Sequence, residues 1–157
     1  MDPVQIVNDK GYFKVVTQQD VAVSGVIFAC SPDELTAERT LRTIQVDEHT
    51  HLQNHFLDFV NHACAPTSIF DPERLAFVAL KPLSVGDEVT FFYPGTETHL
   101  AHEFTCNCSH RECLGYIVGG LDLTVKQMRA ALDRGLCTPV IARQLEAAVA
   151  GAVAEAH

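Results

Sequence analysis

The stretch FTCNCSHRECLGY, residues 104–116, places Cys106, Cys108 and Cys113 inside eight residues of a polar loop. A C-x-C-x4-C cluster brings three thiolates together, one short of the four donors that close a tetrahedral zinc site. His110 lies within the loop, but its tight spacing between Cys108 and Cys113 limits how it can turn inward. Three cysteines lie elsewhere. Cys30 ends an apolar run and suits a small buried position. Cys137 follows Gly135 in a turn, and Cys64 sits in the polar turn NHACAPTS (61–68). Spacing alone leaves all four candidates open, and a set of unligated thiols is the alternative.

Composition sets the context for those thiols. The chain has 157 residues, so a single domain is the default, and 47% hydrophobic with 20% charged residues is globular composition rather than disorder. The opening MDPVQIVNDK lacks a basic segment followed by an apolar block, so no signal peptide is expected. No apolar run nears the roughly 18–20 residues that span a bilayer, so no membrane association is expected. The expected setting is a reducing compartment, nuclear or cytoplasmic. There, six cysteines read as free thiols or metal ligands before disulfides. A formal net charge of −9 disfavours direct nucleic-acid binding and suits a basic partner.

Upstream of the loop, YFKVV (12–16), GVIFAC (25–30), LRTIQV (41–46), RLAFVAL (74–80) and DEVTFFY (87–93) read as short strands, rich in β-branched and aromatic residues. HLQNHFLDFV (51–60) reads as a short helix, and SPDE (31–34) as one capped helical turn. Downstream, Thr124 and Gln127 predict a capping box for a helix ending near Arg134, with Gly135 beyond it. Thr138 and Pro139 open a second helix. Its stripe of Ile141, Leu145, Ala148, Val149 and Ala152 is expected to pack on the chain's own core, a homodimer through these helices being the alternative. The predicted fold class is mainly β (α+β), with two C-terminal helices and no parallel doubly wound sheet.

Four segments, in order, resemble SET-domain methyltransferases. DKGYF (9–13) is similar to that family's N-terminal glycine turn. NHACAPTS resembles its NHSCxPN motif, GDEVTFFY (86–93) its GEELTFDY strand, and CNCSHRECLGY (106–116) its post-SET tail. The resemblance implies a SET fold of several short sheets around a pseudoknot-like active site. It also implies a division into a SET domain (1–103), a post-SET zinc loop (104–117) and a helical extension (118–157). It supplies the fourth thiolate from Cys64, giving a Cys64, Cys106, Cys108, Cys113 zinc site.

The cofactor so implied is S-adenosylmethionine, contacted by Lys10, Gly11 and Tyr12 through backbone, by the Asn61 side-chain oxygen, by His62 and by the ring of Tyr116. Tyr93 takes the place of the catalytic tyrosine, with Phe91, Phe92 and Phe104 as walls of an acceptor channel. Phenylalanine at 91 favours di- or trimethylation by the same resemblance. The implied substrate is a lysine side chain of a basic protein or peptide, such as a histone tail. A small-molecule substrate, or a zinc-stabilised binding module without catalysis, are the alternatives.

Departures from the family pattern are Asp9, Asp58, Thr67, Phe92 and Leu114. Only ten residues precede Gly11, so a cysteine-rich pre-SET brace is not expected, and the C-terminal helices are expected to brace the fold instead.

Overall fold

The computed structural model describes residues 1–156. Its first six strands are β1 (Val4–Asp9), β2 (Tyr12–Thr17), β3 (Val26–Ala29), β4 (Leu35–Thr36), β5 (Thr43–Gln45) and β6 (His51–Gln53). They are followed by β7 (Asn61–His62), β8 (Ser68–Asp71), β9 (Ala76–Ala79), β10 (Glu88–Phe91), β11 (Phe104–Thr105) and β12 (Tyr116–Ile117). Two helices, α1 (Val125–Asp133) and α2 (Pro139–Glu155), close the chain. The sheets run β1-β2-β10-β7, β3-β9-β8, β4-β6-β5 and β11-β12. Several short sheets with two C-terminal helices is the fold class read from the sequence. No helix among the described residues is long and apolar enough to cross a membrane.

The β1–β2 hairpin turns on Lys10 and Gly11, both at positive φ (52° and 92°), and Asn8 Oδ1 accepts the Gly11 N–H at 2.8 Å. This two-residue turn fits the twist of the flanking strands. It pairs Val4 with Thr17 through to Asp9 with Tyr12, adding a strand, β1, that the sequence reading lacked. Residues 51–60 also differ from expectation. His51 and Leu52 are buried in β6, bonded to β4 on one side and β5 on the other. Only His55–Phe59 is helical, as a 3-10 turn capped by Asn54, whose side chain accepts the Phe56 N–H at 2.9 Å. Pairing on both edges overrode the local pattern. β10 stops at Phe91, because Tyr93–Gly95 enters a 3-10 turn at Pro94.

The main core joins Val4, Val15, Ile27, Phe28, Leu52, Val60, Phe77 and Val89 from three of the sheets and their connections. Phe77 stacks on Phe28 at 4.8 Å and meets Phe70 and Phe91 at 5.4 and 5.6 Å. A second cluster sits under the helices, where Val140, Ile141 and Leu145 pack on Leu123 and Met128, with Ala148 and Val149 at its margin. Ile141 and Leu145 of the α2 stripe are thus buried on their own chain, Ala148 and Val149 partly so.

Thr124 and Gln127 form the expected capping box of α1. Thr138 does something else: its N–H and its hydroxyl both donate to the Gly95 carbonyl, at 2.9 and 3.2 Å. The start of α2 is thereby fastened to the turn that follows Tyr93.

Candidate active site

Strand pairing assembles the site. β10 pairs antiparallel with β2 through Glu88 and Val89, and parallel with β7, where Thr90 faces Asn61 and Phe91 faces His62. This parallel pairing sets NHAC beside the strand leading to Tyr93. Thr67 locks the register: its N–H donates to Thr90 Oγ1 at 3.0 Å, and its own Oγ1 accepts the Thr90 N–H at 2.9 Å. The departure at Thr67 is thus a working part of the turn.

Asn61 donates from its amide nitrogen to the Phe13 carbonyl at 2.8 Å and to Glu88 Oε1 at 3.1 Å. Both bonds use the nitrogen, so Oδ1 is the atom left for an incoming donor. Glu88 Oε1 also accepts the Tyr12 hydroxyl at 3.0 Å. Burial first, and Glu88 second, push the Tyr12 hydroxyl up to about 12. Glu88 escaped the sequence reading, since only the three-strand pairing brings it to Tyr12 and Asn61.

His62 is half-buried, and its desolvation depresses the imidazole to about 4 and keeps it neutral. Its Nδ1 accepts the Tyr93 N–H at 3.2 Å, so its proton is on Nε2, 3.3 Å from Cys64 Sγ. One ring therefore connects the Tyr93 backbone to the cysteine cluster. Tyr93 donates its hydroxyl to the Val60 carbonyl at 2.7 Å, and burial raises its pKa well above the usual phenol range. The phenol stays protonated, with its remaining lone pair free to accept.

Tyr12, Asn61, His62, Tyr93, Phe104 and the 105–108 segment surround a cavity of about 430 Å³. Lys10 and Gly11 form the hairpin tip next to Tyr12, and the exposed Tyr116 pairs with Thr105 across β11–β12. Two further cavities adjoin Tyr93, one lined by Phe91 and the other by Phe104. Phe92 does not join them. It packs with Ala131 and Leu136 beneath α1, a position the family's acidic residue could not share without a partner.

The sulfurs of Cys64, Cys106, Cys108 and Cys113 lie within 4.8 Å of one another, and Cys64 is 3.9 Å from both Cys106 and Cys113. Zn–S bonds of about 2.3 Å put tetrahedral sulfurs roughly 3.8 Å apart, so this donor set fits zinc. The N–H groups of Cys108, Leu114 and Gly115 each approach a cluster sulfur at 3.4 Å. Burial raises the Cys64 thiol, so a thiolate there calls for a compensating cation. Cys30 and Cys137 lie in the apolar clusters, and His110 is not among the four converging donors.

Arg134, at the end of α1, donates to the Cys64 carbonyl at 2.7 Å and lies 4.0 Å from Glu112. No local signal marks it, because its target is seventy residues away in sequence. Arg134→Ala is expected to release zinc to a chelator about tenfold faster, the size of effect seen when the support of a ligand is lost. The readout is a colorimetric metal-release assay. Arg134→Lys should restore part of the retention.

A second outcome concerns Glu97, which burial raises from 4.5 to about 8 against the opposing pull of Arg39. Between those values the folded chain holds a proton that the unfolded chain has released, so stability falls as pH rises through this window. Glu97→Gln is expected to flatten the dependence of Tm on pH over the same range. A series of thermal melts checks it.

A sequence model of the SET domain matches residues 4–94, more than half of the chain. The chain belongs to the SET-domain family. Methyltransferase flvH of Aspergillus flavus is 44% identical over 69 residues, which are 43% of this chain and 39% of that relative. The chain thus spans about two fifths of that relative's length.

The structure resembles the methyltransferase domain of the human histone-lysine N-methyltransferase SETMAR, with a TM-score of 0.54 and 15% identity, covering 74% of this chain and 58% of that one. It also resembles KRYPTONITE in a complex with mCHH DNA, H3(1-15) peptide and SAH, with a TM-score of 0.52 and 15% identity over 74% of this chain and 29% of that one. At these identities the likeness speaks to the fold. Within the SET frame, Asn61–Cys64 and Tyr93 occupy the two segments that meet at β7 and β10.

Proposed function

We propose that this chain is an S-adenosylmethionine-dependent methyltransferase acting on an amine nitrogen, most readily a lysine side chain of a basic protein or peptide such as a histone tail. The observation carrying this reading is the convergence of Asn61 Oδ1, neutral His62 and the Tyr93 hydroxyl at a point where Tyr93 lines three cavities. A relative named as a methyltransferase and a fold neighbour holding SAH and an H3 peptide support it.

S-adenosylmethionine, when bound, supplies an electrophilic methyl group on a sulfonium. The residues present fit it: Asn61 offers an acceptor to its amino group, and the Tyr12–Asn61–Glu88 network fixes the orientation of that amide. The chain's own task is to hold an uncharged amine in line. Free lysine titrates near 10.4; the apolar side of the cavity at Leu57, Phe59 and Phe91 favours the neutral form, while Asp58 and Glu97 on its other side favour the ammonium. The Tyr93 hydroxyl, with its proton on Val60, accepts an amine N–H and so orients the lone pair. Zinc on the four cysteines would hold residues 104–116 against the Asn61–His62 turn, in a reducing compartment, nuclear or cytoplasmic, where thiolates persist. The division at 1–103, 104–117 and 118–157 is part of this reading.

Incubation with labelled S-adenosylmethionine and a panel of histone-tail peptides and small amines tests it. Label on an amine nitrogen is the expected result. No binding of S-adenosylmethionine by calorimetry overturns it.

A further inference from the structure

Glu97 follows the 3-10 turn Tyr93–Gly95 and is only 8% exposed. Its Oε2 lies 3.6 Å from Arg39 Nε. Its Oε1 is buried and has no hydrogen-bond partner among the described residues. A buried carboxylate oxygen without a partner is a standing penalty, so its retention next to Tyr93 asks for a ligand.

The surroundings say what kind. Glu97 and Tyr93 together line two cavities of about 270 and 340 Å³, which also share Leu41, Thr43 and Leu100. The cations around them are engaged. Arg39 faces Glu97 Oε2 and donates to the His99 carbonyl, and Arg42 pairs with Asp58 at 3.3 Å. His99 is paired with Asp122 at 2.8 Å, and the Thr43 hydroxyl is spent on the Thr40 carbonyl. The unused capacity is an acceptor, so the ligand brings a donor. Burial also pushes this carboxyl up to about 8, against the opposing pull of Arg39 and of the Gln45 N–H.

We propose that Glu97 anchors a second cationic group, an ammonium or guanidinium, on the acceptor whose reacting amine is held at Tyr93. A charge-assisted bond from that group satisfies Oε1 and fixes how the acceptor lies in the two cavities. Glu97 is then a specificity residue: it selects doubly cationic acceptors over singly cationic ones. The placement of the reacting amine rests on the methyl-transfer reading; the cation site does not.

The test is equilibrium titration of the full chain, loaded with SAH, in two arms. One arm compares linear alkyl amines of equal length with one or two amino groups. The other compares short lysine peptides with arginine or alanine beside the lysine. In at least one arm the doubly cationic probe is expected to bind about tenfold tighter, and that arm names the source of the second charge. Glu97→Gln should abolish the preference while leaving SAH affinity unchanged, and Glu97→Asp should keep part of it. A preference that survives in Glu97→Gln, or none in either arm of the wild type, overturns the assignment. Failure of SAH to bind counts against methyl transfer instead, and the same titrations without SAH still read Glu97.

Discussion

Cys64→Ser protein is expected to purify with a small fraction of the zinc held by the wild type, and with its 104–116 segment open to proteolysis. Cys64 is the one donor of the four that comes from outside the loop, and the one fully buried. A serine hydroxyl is a poor substitute for a thiolate, and structural zinc sites contribute on the order of 10–16 kcal/mol of folding free energy. Without it three half-buried cysteines remain on a loop whose only sheet is the two-residue β11–β12 pair. The change also takes the sulfur acceptor from His62 and from the Leu114 N–H. Elemental analysis and limited proteolysis read both effects. Cys137→Ser, altered in the helical cluster, should keep its metal. Unchanged zinc in Cys64→Ser would move the fourth ligand elsewhere, with His110 next in line.

Tyr93→Phe is expected to lower kcat by about 10²–10³-fold, the size of loss when one preorganised polar group is removed from a reaction centre. Its effect on S-adenosylmethionine affinity should be small, because the ring and its contacts with Phe91 and His62 remain. Losing the hydroxyl leaves the Val60 carbonyl without that donor, at about 1–3 kcal/mol, so a modest fall in Tm accompanies the kinetic loss. Single-turnover kinetics alongside thermal melts separate the two. A wild-type rate removes Tyr93 from the chemistry.

Local spacing marked three of the four converging thiols, Cys106, Cys108 and Cys113, because they share one loop, and the family resemblance pointed to the fourth, Cys64. Groups whose role comes from pairing were illegible. Glu88 gains its part only where β2, β10 and β7 lie side by side. Arg134 reads as an ordinary residue at a helix end until the fold brings Cys64 to it. Glu97 drew no attention in the sequence, and is buried in a loop that the Gln45 N–H holds by the neighbouring Thr96 carbonyl. The β6 segment failed for the related reason that its partners, not its own residues, decide between strand and helix.

The seam between Gly95 and the Leu136–Thr138 turn has a further meaning. A side chain at position 95 would collide with the Leu136 carbonyl, and both donors of Thr138 close on the Gly95 carbonyl. The two surfaces meet with no clearance, two residues from Tyr93. An inheritable change in the helices is therefore not insulated from Tyr93. Variation in this extension acts as variation in the position of the tyrosine, and the helices and the turn are constrained to change together.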